Sequence, residues 1–269
     1  MKNTNCYVLW LFVGTLAVFV LMACSNGKTT KDYIVSKNLM VKTIADTSSF
    51  TGVLLDSGFV SEYEIGAEVD YPVDGPQPLT DSVRQFVIKE LYCMFDLDYD
   101  EEDRLIPFEK VCEWKGDNIV TDFLDNYGPF YEKEIMGVGA SYLSLRLVVQ
   151  TETFITYFGE YNSCGASCAT GYCYYTFRKQ DGHMLKEIIS KKKLKAFVKD
   201  HPVYNNQIAI EYNEEFDTEI NEYFSMLKDG VVFVNPMGLD LGELWEITIP
   251  YSEIKPYLTK QAQELVLDD

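Results

Sequence analysis

Between Phe59 and Tyr71 the chain alternates with a period of two. Phe59, Tyr63, Ile65, Ala67, Val69 and Tyr71 share one side, and Glu62, Glu64, Glu68 and Asp70 share the other. A helix cannot separate such residues, whereas a strand places successive side chains on opposite faces. The segment therefore reads as a half-buried strand with an acidic outer surface. Its apolar side demands a covering layer, so the chain must build at least one sheet with one face packed and one face wet.

The rest of the pattern supplies that layer. Pro72, Gly75, Pro76 and Pro78 break the strand. Val83, Phe86, Val87, Leu91, Met94 and Phe95 then recur at helical spacing, with Thr80 or Asp81 as cap. A partly helical stretch is expected over Phe108–Tyr131. Leu143, Leu145, Leu147 and Val149 alternate with Ser144, Arg146 and Gln150, and aromatic strands follow at Phe154–Tyr161 and Tyr172–Arg178. Asp181-Gly182 marks a turn. Helices are expected over Ile188–Val198 and along Phe216, Ile220, Phe224 and Leu227. Strands follow at Gly230–Val234 and Glu243–Ile249, and a short helix at Glu253–Tyr257. Close-spaced strands favour hairpins. The expected class is α+β: a single, mainly antiparallel sheet with helices packed on one face.

The amino terminus constrains location. Lys2 precedes an apolar run from Tyr7 to Leu21, and Leu21-Met22-Ala23-Cys24 has the form of a lipobox. Residues 1–23 read as a lipoprotein signal peptide and Cys24 as the acylated, palmitate-bearing first residue of the mature chain. Residues 24–50, rich in Lys, Thr and Ser, read as a tether. Residues 51–187 form an amino-terminal α+β subdomain and 188–262 a carboxy-terminal one. The expected location is the cell envelope, bound to the membrane by lipid. Ser25, with no aspartate after the cysteine, favours the outer membrane or periplasmic face over the inner membrane.

Charge sets the partners. Residues 25–45 carry Lys28, Lys31, Lys37 and Lys42 against Asp32, and the remainder is more acidic than the net −19 of the whole chain. Such a body repels nucleic acid and attracts cationic partners. Lys191, Lys192, Lys193, Lys195 and Lys199 form a basic island read as a solvated helix face. Hydrophobic residues make up 47% of the chain, enough for a sizeable core.

The carboxy-terminal third resembles a known family. Phe224, Asp229-Gly230-Val231-Val232-Phe233, then Gly242 to Tyr251 (GELWEITIPY), then Ile254-Lys255-Pro256-Tyr257-Leu258 carry the likeness. They are similar to the last domain of the extracellular part of the lysozyme-sensing anti-sigma factor. That domain also occurs in bacterial lipoproteins and beside some peptidoglycan deacetylases. The upstream strand–loop–helix of Tyr63–Phe95 and the stretch Tyr172–Leu185 resemble its usual neighbour in layout. Relatives often carry Gly-Gly-Ala-His where this chain has Cys164–Gly171, and a Pro-Tyr-Ala-rich aromatic loop where it has Asn235–Leu241. The resemblance implies a binding or sensing domain for lysozyme or a cell-wall glycan. The deacetylase's histidine-rich metal motif is missing.

No catalytic constellation emerges. Cys164, Cys168 and Cys173 are candidates for a local disulfide in an exported chain, with the pairing left open. With His183 they would have spacings of three, four and nine residues, which is no familiar zinc pattern, and no metal or cofactor is expected. His183 and His201 are the only imidazoles, and the sequence around Cys168 is not a nucleophile elbow. Asp96, Asp98, Asp100 and Asp103 hint at calcium, but Glu101 and Pro107 stand where an EF-hand loop needs Gly and Glu. The expected function is a lipid-anchored, non-catalytic binding or sensing protein. The competing expectations are an envelope hydrolase acting on peptidoglycan and a purely structural lipoprotein.

Overall fold

The computed structural model describes residues 38–53, 60–93, 113, 115–125, 139–164, 168–204, 208, 223–234 and 246–267. The chain divides into units Met1–Val35 and Ser36–Asp269, and every described residue belongs to the second. Among these residues no helix is long and apolar enough to cross a membrane.

The alternating segment becomes strand β2 (Val60–Asp74). It lies in a five-stranded sheet of order β1-β2-β3-β4-β5, with β1 Met40–Val53, β3 Gly139–Gln150, β4 Phe154–Cys164 and β5 Cys168–Arg178. Every pairing is antiparallel except β2–β3. The parallel ladder ends at Val69–Leu145. Beyond it, Asp70 Oδ2 accepts from the Leu147 backbone N–H at 2.9 Å, and the Tyr157 hydroxyl donates to the Asp70 carbonyl at 2.9 Å. One side chain and one buried phenol thus continue a ladder that the diverging backbones no longer make.

Ile65, Ala67, Val69, Leu143, Leu145, Ile155, Tyr157 and Phe177 point to the covered face. The helix Gln77–Cys93 supplies Leu79, Val83, Phe86, Val87 and Leu91 against them, and residues 119–125 add Ile119, Val120, Phe123 and Leu124. The helix starts a turn earlier than the Thr80 or Asp81 cap implied. Thr80 lies inside the first turn, its backbone N–H donating to the Pro76 carbonyl. Gly182 sits against this turn with φ +71°. A Cβ there would come within 2.4 Å of the Pro78 carbonyl oxygen, so glycine is required on both counts.

The single sheet expected from the order of elements is in fact two. β6 (Phe224–Met226), β7 (Gly230–Val234) and β8 (Glu246–Pro250) form a separate antiparallel sheet. All five residues of β7 are buried, so it needs cover on both sides and cannot extend an open sheet. Phe224 pairs with Phe233 in this sheet, so the helical spacing through Phe224 and Leu227 gives way to a hairpin. Around it lies a second core of Phe154, Leu194, Phe197, Val231, Phe233, Ile249, Ile254 and Leu258. The lysine-rich segment forms the helix Lys191–Asp200, with Leu194, Phe197 and Val198 inward. The carboxy-terminal helical segments run through Tyr251–Ile254, Lys255–Tyr257 and Lys260–Leu265.

Buried hydroxyls join the two cores. Thr156 Oγ1 donates to the Met226 carbonyl at 2.6 Å, and the Met226 N–H donates to Thr176 Oγ1 at 3.1 Å. Thr176 and Ser225 hydroxyls meet at 2.6 Å. The start of the domain is also pinned. Lys179, 1% exposed, donates to Asn38 Oδ1 at 3.0 Å and the Thr151 carbonyl at 2.8 Å. The Gln150 amide brackets Leu39, accepting from its N–H and donating to its carbonyl. β1 therefore begins inside the stretch that composition assigns to a tether. Its inward positions alternate Ile44 with polar Asp46 and Ser48, so hydrophobic periodicity does not reveal it.

Candidate functional site

The face of the five-stranded sheet opposite the first core carries the most developed surface. β3 places Tyr142, Ser144 and Arg146 there, β4 places Phe158, Glu160 and Asn162, and β5 places Thr170, Tyr172 and Tyr174. The register sets Phe158 between Arg146 and Tyr174, and Glu160 between Ser144 and Tyr172.

These residues lock together. The Arg146 guanidinium lies over the Phe158 ring, 5.5 Å from its centroid. Its Nη2 is 3.6 Å from Glu160 Oε2, with Arg146 about half exposed. The Tyr172 ring stacks on Phe158 at 6.0 Å and 18°, and Tyr174 leans on it at 4.9 Å. Glu160 Oε1 accepts from Asn162 Nδ2 at 3.0 Å, and Thr170 Oγ1 donates to Asn162 Oδ1 at 2.6 Å. The Tyr174 hydroxyl reaches the second sheet, donating to Glu246 Oε2 at 2.7 Å. Tyr142 lies over Gly66 of β2, where a Cβ would meet its ring at 2.8 Å.

Partial burial raises the pKa values of Tyr142, Tyr172 and Tyr174 above the ordinary phenol value. Neighbouring carboxylates add to it: Glu68 and Glu160 at Tyr142, Glu160 at Tyr172, Glu246 at Tyr174. The phenols therefore stay neutral donors at physiological pH. Toward β2 the face continues with Glu62, Glu64 and Glu68. Among the described residues of this face the cations are Arg146 and, at the far end of β5, Arg178, which is paired with Asp181. The result is an aromatic patch bordered by carboxylates, suited to a cationic surface through ion pairing and cation–π contact.

The sequence-selected cysteines fall on different faces. Cys164 is disulfide-bonded at the end of β4 and lies on the outer side. Cys168 is its cross-strand Cα partner, but its side chain lies outside the described residues. Cys173 is a half-buried thiol on the core side, near Tyr161 and Tyr175. Strand parity thus separates Cys173 from Cys164. The Tyr161 hydroxyl donates to Glu90 Oε2, as does that of Tyr175 at 3.1 Å, and burial followed by Glu90 pushes both phenols far up.

The histidines join neither cysteine. His183 is exposed after the turn. His201 stacks on Phe197 at 4.7 Å in the second core, with Nδ1 3.7 Å from Glu253 Oε2, which also accepts from the Tyr204 hydroxyl. No group of His, Cys, Asp and Glu among the described residues could hold a metal ion. Cys24, the Asp96–Asp103 loop and the Asn235–Leu241 loop lie outside the described residues.

Hydrophobic patterning does not reveal the outer aromatic patch, because β4 and β5 carry aromatics on both faces. Tyr157 and Phe158 are neighbours, as are Tyr174 and Tyr175, so hydrophobicity does not tell inside from outside. The usable clue was Arg146, the lone cation alternating with leucines in β3.

No family model matches the chain, and no curated protein matches it. Solved structures with a similar fold include a member of the DUF3298 family from Bacteroides fragilis. It is 16% identical, with 83% of this chain and 96% of that chain covered and a TM-score of 0.49. Another is a DUF3298 family protein from Pseudomonas aeruginosa, 11% identical, with 85% and 98% covered and a TM-score of 0.48. The structural neighbours of this α+β chain are thus members of a family named for a domain of unknown function.

Proposed function

We propose that this is a lipid-anchored envelope protein with a non-catalytic binding or sensing role, held through an acylated Cys24. Its outer sheet face receives a basic protein such as lysozyme. The observation that carries this reading is the charge of the patch: Tyr142, Phe158, Tyr172 and Tyr174 are bordered by Glu68, Glu160 and Glu246, and Arg146, the cation among the rings, is already paired with Glu160. The acidic chain adds long-range attraction for a cationic partner.

The test is retention of lysozyme by the full-length protein at low and physiological salt. The expected result is binding that weakens as salt rises and falls about tenfold or more in Tyr172→Ala, the loss of one hot-spot aromatic. No retention at either salt removes this ligand. A cell-wall glycan is the second reading, favoured by the near-parallel Phe158 and Tyr172 rings, since sugar faces stack on such surfaces. Direct binding of soluble glycan strands to the protein with no lysozyme present would select it. Radiolabelled palmitate incorporated by the wild type and not by Cys24→Ala tests the anchor.

A further inference from the structure

Strand β1 is an edge of the larger sheet and runs for 14 residues, longer than most strands in globular proteins. Among the described residues it pairs with β2 alone. A long open edge presents a row of backbone donors and acceptors, and proteins commonly blunt such edges with proline, lysine or a bulge. Here the strand contains no proline and one lysine, Lys42, which is engaged with Asp117 on the core side at 2.6 Å, and one backbone donor, the Thr47 N–H, is taken by Asp46 Oδ1 at 2.9 Å. The register shift lies at its very start, between Met40 and Val41.

The outer side of this edge has a specific chemistry. Thr43, Ala45, Thr47, Ser49 and Thr51 are all small and exposed. Their partners on β2 are Asp70, Glu68, Gly66, Glu64 and Glu62. Asp70 accepts from Thr43 Oγ1, and Glu68 bonds Tyr142. Glu62 and Glu64 are exposed and make no hydrogen bond or ion pair among the described residues. A strand added to β1 would lie about 4.8 Å from it, with alternate side chains on this same outer side. Only small side chains would separate it from the glutamate row. A lysine or arginine at every second position spans that gap, whereas a short or acidic side chain cannot use it.

We infer that the free edge of β1 is a β-augmentation site for an extended segment of a partner carrying Lys or Arg at alternate positions. Backbone pairing to β1 supplies affinity, and Glu62 and Glu64 on β2 select basic side chains across the intervening small row. This site lies at the opposite margin of the outer face from Tyr172 and Tyr174, and it does not depend on the aromatic patch.

The probe is a capped peptide of about ten residues, a typical length for a strand, alternating lysine and threonine. Binding to the full-length protein is read by fluorescence polarisation at low and physiological salt. Two control peptides have the same composition: one with the lysines in a single block, and one N-methylated at every second backbone nitrogen, made in both registers. The alternating peptide is expected to bind at least about tenfold tighter than either control. The double variant Glu62→Gln, Glu64→Gln is expected to lose the advantage over the block peptide while keeping its melting temperature. Tyr172→Ala is expected to bind the peptide as the wild type does, which separates this site from the lysozyme reading. Equal binding of all peptides would mean plain charge attraction and would overturn the inference, as would no binding of the alternating peptide at low salt.

Discussion

The two faces of the five-stranded sheet are made from the same strands and differ in nearly everything else. On the core face Leu143, Leu145, Ile155, Tyr157 and Phe177 are essentially sealed, and helix Gln77–Cys93 covers them. On the outer face Tyr142, Tyr172 and Tyr174 stay partly exposed, and Phe158, 8% exposed, is closed over by Tyr172, Tyr174 and the Arg146 guanidinium. The contrast teaches that aromatic content does not decide burial in this sheet. What decides it is whether another layer arrives: the second sheet covers the outer face at Thr156 and Thr176, whereas no described element covers Glu62 and Glu64 on β2.

That contrast can be broken by substitution. Leu145→Ala on the core face should cost about 2–5 kcal/mol in a denaturant melt, because it removes buried methyl groups and leaves a cavity. A cost below about 1 kcal/mol would mean that the core face is not the sealed layer described. Thr176→Val, at the seam between the cores, should cost about 1–3 kcal/mol, since the Met226 N–H and the Ser225 hydroxyl lose their buried partner. Its hydrogen-exchange readout should show the β6–β7 hairpin opening more easily. Gly66→Ala should cost about 1–2 kcal/mol by pushing Tyr142 and Thr47 aside.

Tyr172→Ala should change stability by less than about 1 kcal/mol, as expected of a partly exposed side chain, while weakening lysozyme binding as stated above. The smallest effect concerns pH. A hydrogen bond from Arg178 Nε to Asp181 Oδ1, 2.8 Å long, holds the Asp181 carboxyl below its ordinary value. A depressed folded-state value means that the contribution is present above the ordinary aspartate range and is lost as pH falls through the folded value. The Asp181 side chain is 46% exposed and its attraction is screened by water, so Asp181→Asn should flatten the acid side of the stability profile by only about a few tenths of a kcal/mol.

Much of the core face was legible in advance. The alternation in β2 identifies Ile65, Ala67, Val69 and Tyr71 as inward, and the helical spacing of Val83, Phe86, Val87 and Leu91 identifies their cover. β1 was not legible, because Asp46 and Ser48 occupy its inward positions beside Ile44. Their side is capped by polar contacts such as the Thr121 hydroxyl donating to Asp46. The second sheet is hidden where Phe224 and Leu227 match a helical spacing. Local spacing there is overruled by the pairing of Phe224 with Phe233. The candidate site was legible only in its acidic border, since the rings of β4 and β5 alternate with other rings.

The clamp around Asn38 and Leu39 has a mechanical consequence. Tension transmitted down the preceding chain reaches Lys179 and Gln150 before it reaches any rung of β1. The load is thereby shared with the β3–β4 corner and the end of β5, deep in the fold, instead of peeling the edge strand away rung by rung. A tug too weak to tear Lys179 from its two acceptors leaves the strand seated.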